Sequence, residues 1–153
     1  MISVRVVARS DDLERIVTEI NEAAWDEANE IGKYDAESLA AYLERQDTLF
    51  LICHDTSPIP PKLLGIASAR VEMKPYDKEF WLYVDEVDVC SDQRRKGVGT
   101  VMMRLLFEIA REKGCEEVWL GADASNRSAN ALYQSLEPDH VTAVLGYTYE
   151  ADG

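Results

Sequence analysis

The sequence predicts a mixed α/β domain built around one central sheet. Segments typical of strands and of helices alternate along the chain in the order βααβββαβαβ. The chain has 153 residues, which is enough for one domain with its own core and too few for two. A strand, a helix and another strand follow one another over residues 80–122, and such a crossover is right-handed in nearly all proteins. We therefore expect residues 1–153 to form a single domain.

The first half of the chain predicts three strands and two helices. Ile2–Val7 alternates in hydrophobicity and is rich in β-branched residues, which is typical of a strand. Either Ser10 or Asp11 is a candidate N-cap of the first helix, because apolar residues at helical spacing follow. Consecutive prolines within residues 57–62, SPIPPK, predict a turn. The other elements of this half are a helix at Tyr34–Arg45 and strands at Thr48–Cys53 and Leu63–Met73.

The second half contains the longest predicted helix, Gly99–Lys113. Its apolar residues form one stripe, and Gly114 stands where a helix is expected to end. The remaining elements are strands at Phe80–Cys90 and Glu117–Ala122, a short helix at Ser128–Leu136, and a last strand or hairpin segment at Val141–Glu150. The residue patterns therefore predict six strands and four helices.

The net charge of −13 limits the classes of partner. Nucleic acids and anionic membrane surfaces bind basic faces, so we expect neither as a partner. Two interpretations of the acidity stay open, namely general solubility and attraction of a cationic substrate. The sequence has no run of about 18 apolar residues that would predict a membrane span. Its N-terminus lacks the pattern of a signal peptide.

The three cysteines, Cys53, Cys90 and Cys115, lie far apart in apolar segments. Their odd number and their spacing fit neither a disulfide framework nor a metal site. We therefore expect buried, reduced thiols, no metal and a cytoplasmic location.

The stretch DQRRKGVGT, residues 92–100, predicts an anion site. Gly97 and Gly99 allow a tight turn and a close approach of a ligand to the backbone. The following helix has free N–H groups in its first turn, and the preceding residues RRK add positive charge. The alternative is a basic loop that faces solvent. The spacing of the glycines matches neither the Walker phosphate loop nor the dinucleotide fingerprint.

Two motifs resemble those of the GNAT superfamily of N-acetyltransferases. Within VDVCSDQRRKGVG, residues 87–99, the family's pattern Q/R-x-x-G-x-G/A is matched by Arg94, Gly97 and Gly99. The segment NRSANALY, residues 126–133, is similar to the family's N-x-x-A-x-x-L-Y. One helix and one strand separate the two motifs, as the family's fold requires. The resemblance implies a central, mixed and mostly antiparallel sheet of six to seven strands, flanked by about four helices.

The resemblance also implies acetyl-CoA as the co-substrate. Its pantetheine arm would lie along backbone groups near Val87 and Val89. Asn126 would contact the pantetheine or an ordered water, and Tyr133 would lie near the thioester sulfur, where its hydroxyl could act as an acid. The pyrophosphate would lie on the glycine turn, held by Arg94, Arg95, Lys96, Gly97, Val98, Gly99 and Thr100.

Three acids in the strand YVDEVDV, Asp85, Glu86 and Asp88, are candidates for binding and activating a cation. Acids are depleted in strands, and a protonated alkylamine needs a base before it can attack a thioester. Strand alternation places Glu86 and Asp88 on one face and Asp85 on the other, unless a bulge changes the alternation. Glu86 is the predicted base, because aminoglycoside 3-N-acetyltransferases resemble the chain here and carry an acid at this place. The alternative is that each acid faces solvent.

The acceptor pocket is expected near the loop between the first two helices, as is usual in the family. We expect Trp25, Tyr34 and Asp85 to bind the acceptor there; the alternative for Trp25 is a place in the core or at its rim. Glu137 and Pro138 stand where the family commonly has Gly followed by Phe or Tyr, so the last hairpin departs from the family's pattern. A homodimer is a further expectation, because dimers are common among such proteins.

The predicted activity is transfer of an acetyl group from acetyl-CoA to the primary amine of a small cationic acceptor. The amine would attack directly, with general base catalysis, so that no cysteine is required. Two alternatives stay open. One is a protein or peptide N-acetyltransferase, and the other is an acyl-CoA-binding regulatory module without turnover.

Overall fold

A computed structural model gives the structure of residues 1–94 and 96–152, apart from the side chain of Ala28. These residues form two compact units, Met1–Leu120 and Gly121–Gly153. The first unit holds the sheet and three helices, and the second holds one helix. The single domain over residues 1–153 stays a prediction.

The sheet of the first unit has five strands, β1 (Ile2–Val6), β2 (Thr48–Asp55), β3 (Lys62–Met73), β4 (Phe80–Val89) and β5 (Cys115–Leu120). They lie side by side in this same order. Neighbouring strands are antiparallel except β4 and β5, which are parallel. The predicted mixed and mostly antiparallel sheet is therefore confirmed.

The helices of the first unit are α1 (Leu13–Glu22), α2 (Ala36–Glu44) and α3 (Val98–Glu112). Carboxylates cap the first two, because Asp12 and Asp35 each accept a backbone N–H from the first turn. The N-cap of α1 is therefore Asp12, and the prediction of Ser10 or Asp11 is wrong. Asp11 instead accepts the N–H of Ala8 at 2.8 Å. No helix in the described part of the chain is both long and apolar enough to cross a membrane.

Helices cover the sheet on both faces. On one face, Phe50, Ile52 and Ile66 join a buried cluster with Ile16 and Ile20 of α1, and α2 also packs there. The residues between these along each strand point to the other face, where α3 packs and contacts all five strands. The sheet is therefore fixed between two helical layers within this unit.

Gly65 of β3 lies where β4 and α3 approach it closely. A Cβ there would lie 2.7 Å from the carbonyl oxygen of Asp88 and 2.9 Å from Cε of Met102. We expect Gly65→Ala to lower the free energy of unfolding by about 1 to 3 kcal/mol, because relieving the overlap shifts a buried strand. Urea unfolding measures the change, with Gly32→Ala as the control, since no atom lies within 4 Å of a Cβ there. Equal midpoints for the two variants would contradict this prediction.

The second unit contains α4 (Arg127–Ser135). The segment Val141–Glu150, expected to form a last strand, has no regular secondary structure, so that prediction is wrong. The sheet has five strands among the described residues, not six to seven. A strand needs a neighbouring strand for its backbone groups, and an alternating sequence does not supply one. The prediction of about four helices is confirmed.

Candidate active site

Strand β4 contains a β-bulge at Asp85. Ser68 and Ala69 of β3 are consecutive residues, but their partners in β4 are Glu86 and Val84. Asp85 is therefore the extra residue, without a partner in β3. A bulge of this kind bends the strand and suspends the alternation of its side chains.

The bulge brings Asp85 to the face of the sheet that carries Glu86. Arg70 Nε donates to Asp85 Oδ1 at 3.3 Å, and Arg70 Nη1 donates to Glu72 Oε1 at 2.7 Å. Arg70 and Ser68 point to the same face, because they are two residues apart in a regular stretch of β3. The prediction that Asp85 and Glu86 lie on opposite faces is therefore wrong.

Beyond Val84, β4 has a neighbouring strand on one side only. The pairing of β4 with β5 ends at Val84, whereas its pairing with β3 continues to Val89. The N–H of Cys90 donates to the carbonyl of Leu64 at 2.8 Å. Alternation then directs the backbone groups of Val87 and Val89 away from β3, where no strand of the described residues pairs with them. These groups can hydrogen-bond an extended ligand.

The glycine turn leads into the N-terminus of α3. Gly97 is the N-cap and has a φ of 79°, a left-handed conformation that glycine adopts without strain. No side chain caps the helix, and its first turn has no acidic residue. The N–H of Val101 donates to the carbonyl of Gly97 at 3.0 Å. The N–H groups of residues 98–100 therefore present the positive end of the helix dipole to an anion.

The described basic residues of the turn already have polar partners. Arg94 donates from its guanidinium to the carboxylate of Asp26, which lies between α1 and α2. Lys96 Nζ donates to Gln93 Oε1 at 3.0 Å, and Gln93 is itself buried. Arg95 lies outside the described residues. The pairing of Arg94 links the glycine turn to the loop in which the acceptor pocket was expected.

Glu86 and Asp88 share one face of β4, as alternation predicted. They lie opposite Ser68 and Ile66 of β3, two residues that also share a face. The side chain of Glu86 is exposed, whereas Asp88 is only 7% exposed. Burial, followed by the charge and the hydrogen bond of Glu86, raises the pKa of Asp88 to about 7. The alternative that every acid of this strand faces solvent is therefore wrong for Asp88.

Tyr34 lies close to this pair of acids. Burial raises the pKa of its hydroxyl, and the negative charges of Glu86 and Asp88 raise it further. Its backbone N–H donates to Asn21 Oδ1 at 2.9 Å, and its ring centroid lies 5.9 Å from that of Phe50. Tyr34 therefore stands at the boundary between the core and the acidic face.

Trp25 combines a structural contact with a place in a pocket. Its Nε1 donates to the carbonyl of Ile20 at 2.8 Å, and its ring packs against the buried cluster. A cavity of about 300 Å³ lies beside it, lined by Ile20, Asn21, Trp25, Ile31, Gly32 and Lys33. Asn21 borders this cavity and also accepts the backbone N–H of Tyr34, so one side chain connects the cavity with Tyr34.

Asn126 and Tyr133 belong to the second unit. Asn126 caps α4, because its Oδ1 accepts the N–H of Ala129 at 3.1 Å. Tyr133 is partly exposed on the same helix. Their assigned roles toward pantetheine and thioester stay predictions that rest on the resemblance.

The burial of Asp88 is the feature that the sequence alone did not reveal. The sequence shows an acid two residues after Glu86, but whether helices cover this part of the face is a tertiary property. Among the described residues, no group of three or more His, Cys, Asp or Glu side chains is arranged to hold a metal ion.

Solved structures with the same fold include acetyltransferases. An aminoglycoside acetyltransferase from an uncultured soil metagenomic sample, in complex with sisomicin, matches with a TM-score of 0.80 at 21% identity. The match covers 97% of this chain and 95% of that one. A GNAT family acetyltransferase of Staphylococcus aureus matches with a TM-score of 0.72 at 14% identity, over 97% and 98% of the two chains. At such identities these matches establish a shared fold.

Two relatives of known activity are similar in sequence. N-acetyltransferase 8 of Homo sapiens is 29% identical over 96 residues, or 63% of this chain and 40% of that protein. The ribosomal protein bS18 alanine N-acetyltransferase of Escherichia coli is 33% identical over 67 residues, or 44% of this chain and 45% of that protein. The chain thus matches less than half of the length of each relative.

The pattern of a known family extends over most of the chain. It matches residues 12–137 and therefore includes the acidic strand, the glycine turn and the motif that begins at Asn126. On this match, the chain belongs to the acetyltransferase (GNAT) family.

Proposed function

We propose that the chain transfers an acetyl group from acetyl-CoA to the primary amine of a small cationic acceptor. The observation that carries this proposal is the position of Glu86. It lies on an acidic sheet face, within the stretch of β4 whose outer edge has no neighbouring strand among the described residues. A base, a set of backbone donors and an uncapped helix N-terminus thus follow one another within residues 86–100.

The residues present fit acetyl-CoA. A Cβ on Gly97 would meet no atom of the described residues within 4 Å, which leaves room for a pyrophosphate at the turn. The N–H groups of Val98, Gly99 and Thr100 would hold it, and Arg95 and Lys96 would add charge. The outward backbone groups of Val87 and Val89 would hydrogen-bond the pantetheine arm. When bound, acetyl-CoA supplies the acetyl group as a thioester.

Glu86 acts as the general base of the proposed reaction. An alkylamine has a pKa of about 10.4, so about one molecule in a thousand is unprotonated near neutral pH. This deficit corresponds to about 4 to 5 kcal/mol of the barrier. A carboxylate that accepts the proton as the amine attacks removes much of this cost. Tyr133 is proposed to return a proton to the leaving sulfur, and Asn126 to contact the pantetheine.

The cysteines are unsuited to a covalent mechanism. Burial raises the pKa of the Cys53 thiol to about 11 and that of the Cys90 thiol to about 12. Both thiols are therefore protonated near neutral pH, where a thiol is a weak nucleophile. Direct attack by the amine, with no acyl-enzyme, agrees with this environment.

The acidity of the site favours a cationic acceptor. Asp85 and Glu86 are both exposed on the same sheet face, and the chain carries a net charge of −13. The second candidate is a protein N-acetyltransferase, which is favoured by the similarity to the ribosomal protein alanine N-acetyltransferase. Cytoplasmic location and a homodimer remain predictions.

An assay of thiol release from acetyl-CoA tests the proposal against a panel of polyamines, aminoglycosides and peptides with N-terminal alanine. We expect turnover of small polycations, with a KM that rises several-fold between about 20 and 200 mM salt, because salt screens attraction to the acidic face. Turnover of the peptides alone would favour the second candidate. Binding of acetyl-CoA without release of thiol from any amine would identify a regulatory module and contradict the proposal.

A further inference from the structure

Asp88 is a buried acid that the proposed reaction has not yet used. Its side chain is 93% buried, and its Oδ2 atom has no hydrogen-bond partner among the described residues. Its carboxyl group interacts with that of Glu86, through charge and a side-chain hydrogen bond. A bond between two carboxyl groups requires a proton on one of them, because ionised carboxylates only accept.

In the part of the chain that the structure describes, the surroundings of the pair provide no cation to replace that proton. No ion pair among the described residues includes Glu86 or Asp88. On β3, the residues opposite the pair are Ser68 and Ile66, which carry no charge. From the loop before α2, the titratable group that faces the pair is the hydroxyl of Tyr34.

Charged groups on the neighbouring elements are already engaged with one another. On β3 and β4, Arg70 lies between Glu72 and Asp85. After β4, the guanidinium of Arg94 is held by Asp26. The helix α1 contributes apolar residues to the core on this face, and its Glu19 pairs with His54 at 2.9 Å. With no basic side chain paired to it in the described structure, the pair carries a proton at pH values below about 7 and a charge of −2 above.

We propose that Asp88 is a positioning residue that shares one proton with Glu86, so that the two carboxyl groups together accept the proton of the attacking amine. This inference rests on the proposed function. The acceptor ammonium loses one proton, and the pair gains it, so that the charge of the pair changes from −2 to −1. When the product leaves, the proton passes to solvent through the exposed Glu86.

Sharing makes the pair a stronger base than a single exposed carboxylate. Two interacting acids titrate as a unit, and the second proton to leave is held more tightly. The pKa of about 7 at Asp88 brings the proton affinity of the site closer to that of an amine. Below this pH the pair already holds its proton and accepts no other, so activity rises as the pH increases through about 7.

The test compares the pH dependence of kcat/KM between the wild type and Asp88→Asn. The asparagine amide can still donate a hydrogen bond to Glu86, but it does not titrate. We expect the midpoint of the rise to fall by about 2 pH units or more, because the buried acid that titrates near 7 is gone. The plateau value of kcat/KM at high pH should fall about tenfold, because a weaker base takes the proton. A midpoint that stays in place would overturn the proposal.

Two controls make this readout specific. Glu72→Gln removes one charge from the same sheet face without touching the pair, and its midpoint should equal that of the wild type. A second acceptor amine of different pKa shows whether the rise follows the protein or the amine. A rise that follows the amine in both proteins would also overturn the proposal.

Infrared spectroscopy supplies a readout that does not depend on activity. In the free wild-type protein, a protonated carboxyl band should disappear as the pH rises through about 7, and Asp88→Asn should lack this band. If Asp88→Asn does not fold, Glu86→Gln should lower the midpoint of the band. If the carboxyl band titrates but the protein transfers no acetyl group, the proposed function is contradicted and the shared proton is not. Acetyl transfer without such a band would overturn the sharing alone.

Discussion

Replacement of Glu86 by glutamine lowers kcat/KM for an amine acceptor by about 10²- to 10⁴-fold near neutral pH, which is the contribution typical of a general base. Glutamine preserves the size of the side chain but does not accept a proton. The loss should shrink as the pH rises, because more of the amine is then free without the help of a base. A pH–rate profile of the variant from about pH 6 to 10 measures both effects.

The affinity for acetyl-CoA separates this effect from misfolding. The dissociation constant of Glu86→Gln should match that of the wild type, because its side chain is not needed at the glycine turn or at the strand edge. Glu72→Gln, which removes an acid from the same face, serves as the matched control. If Glu86→Gln kept the wild-type kcat/KM and pH profile, Glu86 would not be the base.

The second large effect is expected from Gly97→Val, which should weaken the binding of CoA. A β-branched side chain at a φ of 79° is strained, and it would project into the space where we propose that the pyrophosphate binds. We expect the dissociation constant of CoA to rise by at least about 100-fold, or about 2.7 kcal/mol. Isothermal titration calorimetry with CoA measures the change.

The same chain offers a matched control for the strain. Gly114, at the other end of α3, has a φ of 72°, and a Cβ there also meets no atom within 4 Å. Gly114→Val should therefore lower the free energy of unfolding by a similar amount, about 1 to 2 kcal/mol, and leave CoA binding unchanged. Equal affinities of the two variants for CoA would contradict a phosphate site at Gly97.

Local residue patterns were sufficient for the elements that depend on neighbours in sequence. The end of α3 before Gly114, the apolar stripe of that helix and the turn at Gly97 follow from backbone preferences of one or two residues. The shared face of Glu86 and Asp88 follows from strand alternation alone. These features are determined within a few residues along the chain.

The features that were not predicted depend on contacts between distant segments. The bulge at Asp85 is a mismatch between β3 and β4, and neither strand shows it alone. The burial of Asp88 depends on helices that pack from elsewhere in the chain. The β-like alternation of Val141–Glu150 has no effect without a partner strand.

The unpaired stretch of β4 also affects the tendency of the protein to aggregate. An unsatisfied row of peptide groups is a template on which another copy can add a strand, which is how many sheet proteins aggregate. Asp85 and Glu86 project from this stretch, so two copies that meet here bring like charges together. The acids proposed to attract a cation thereby also discourage another copy from adding a strand at this edge, and acidification removes this protection.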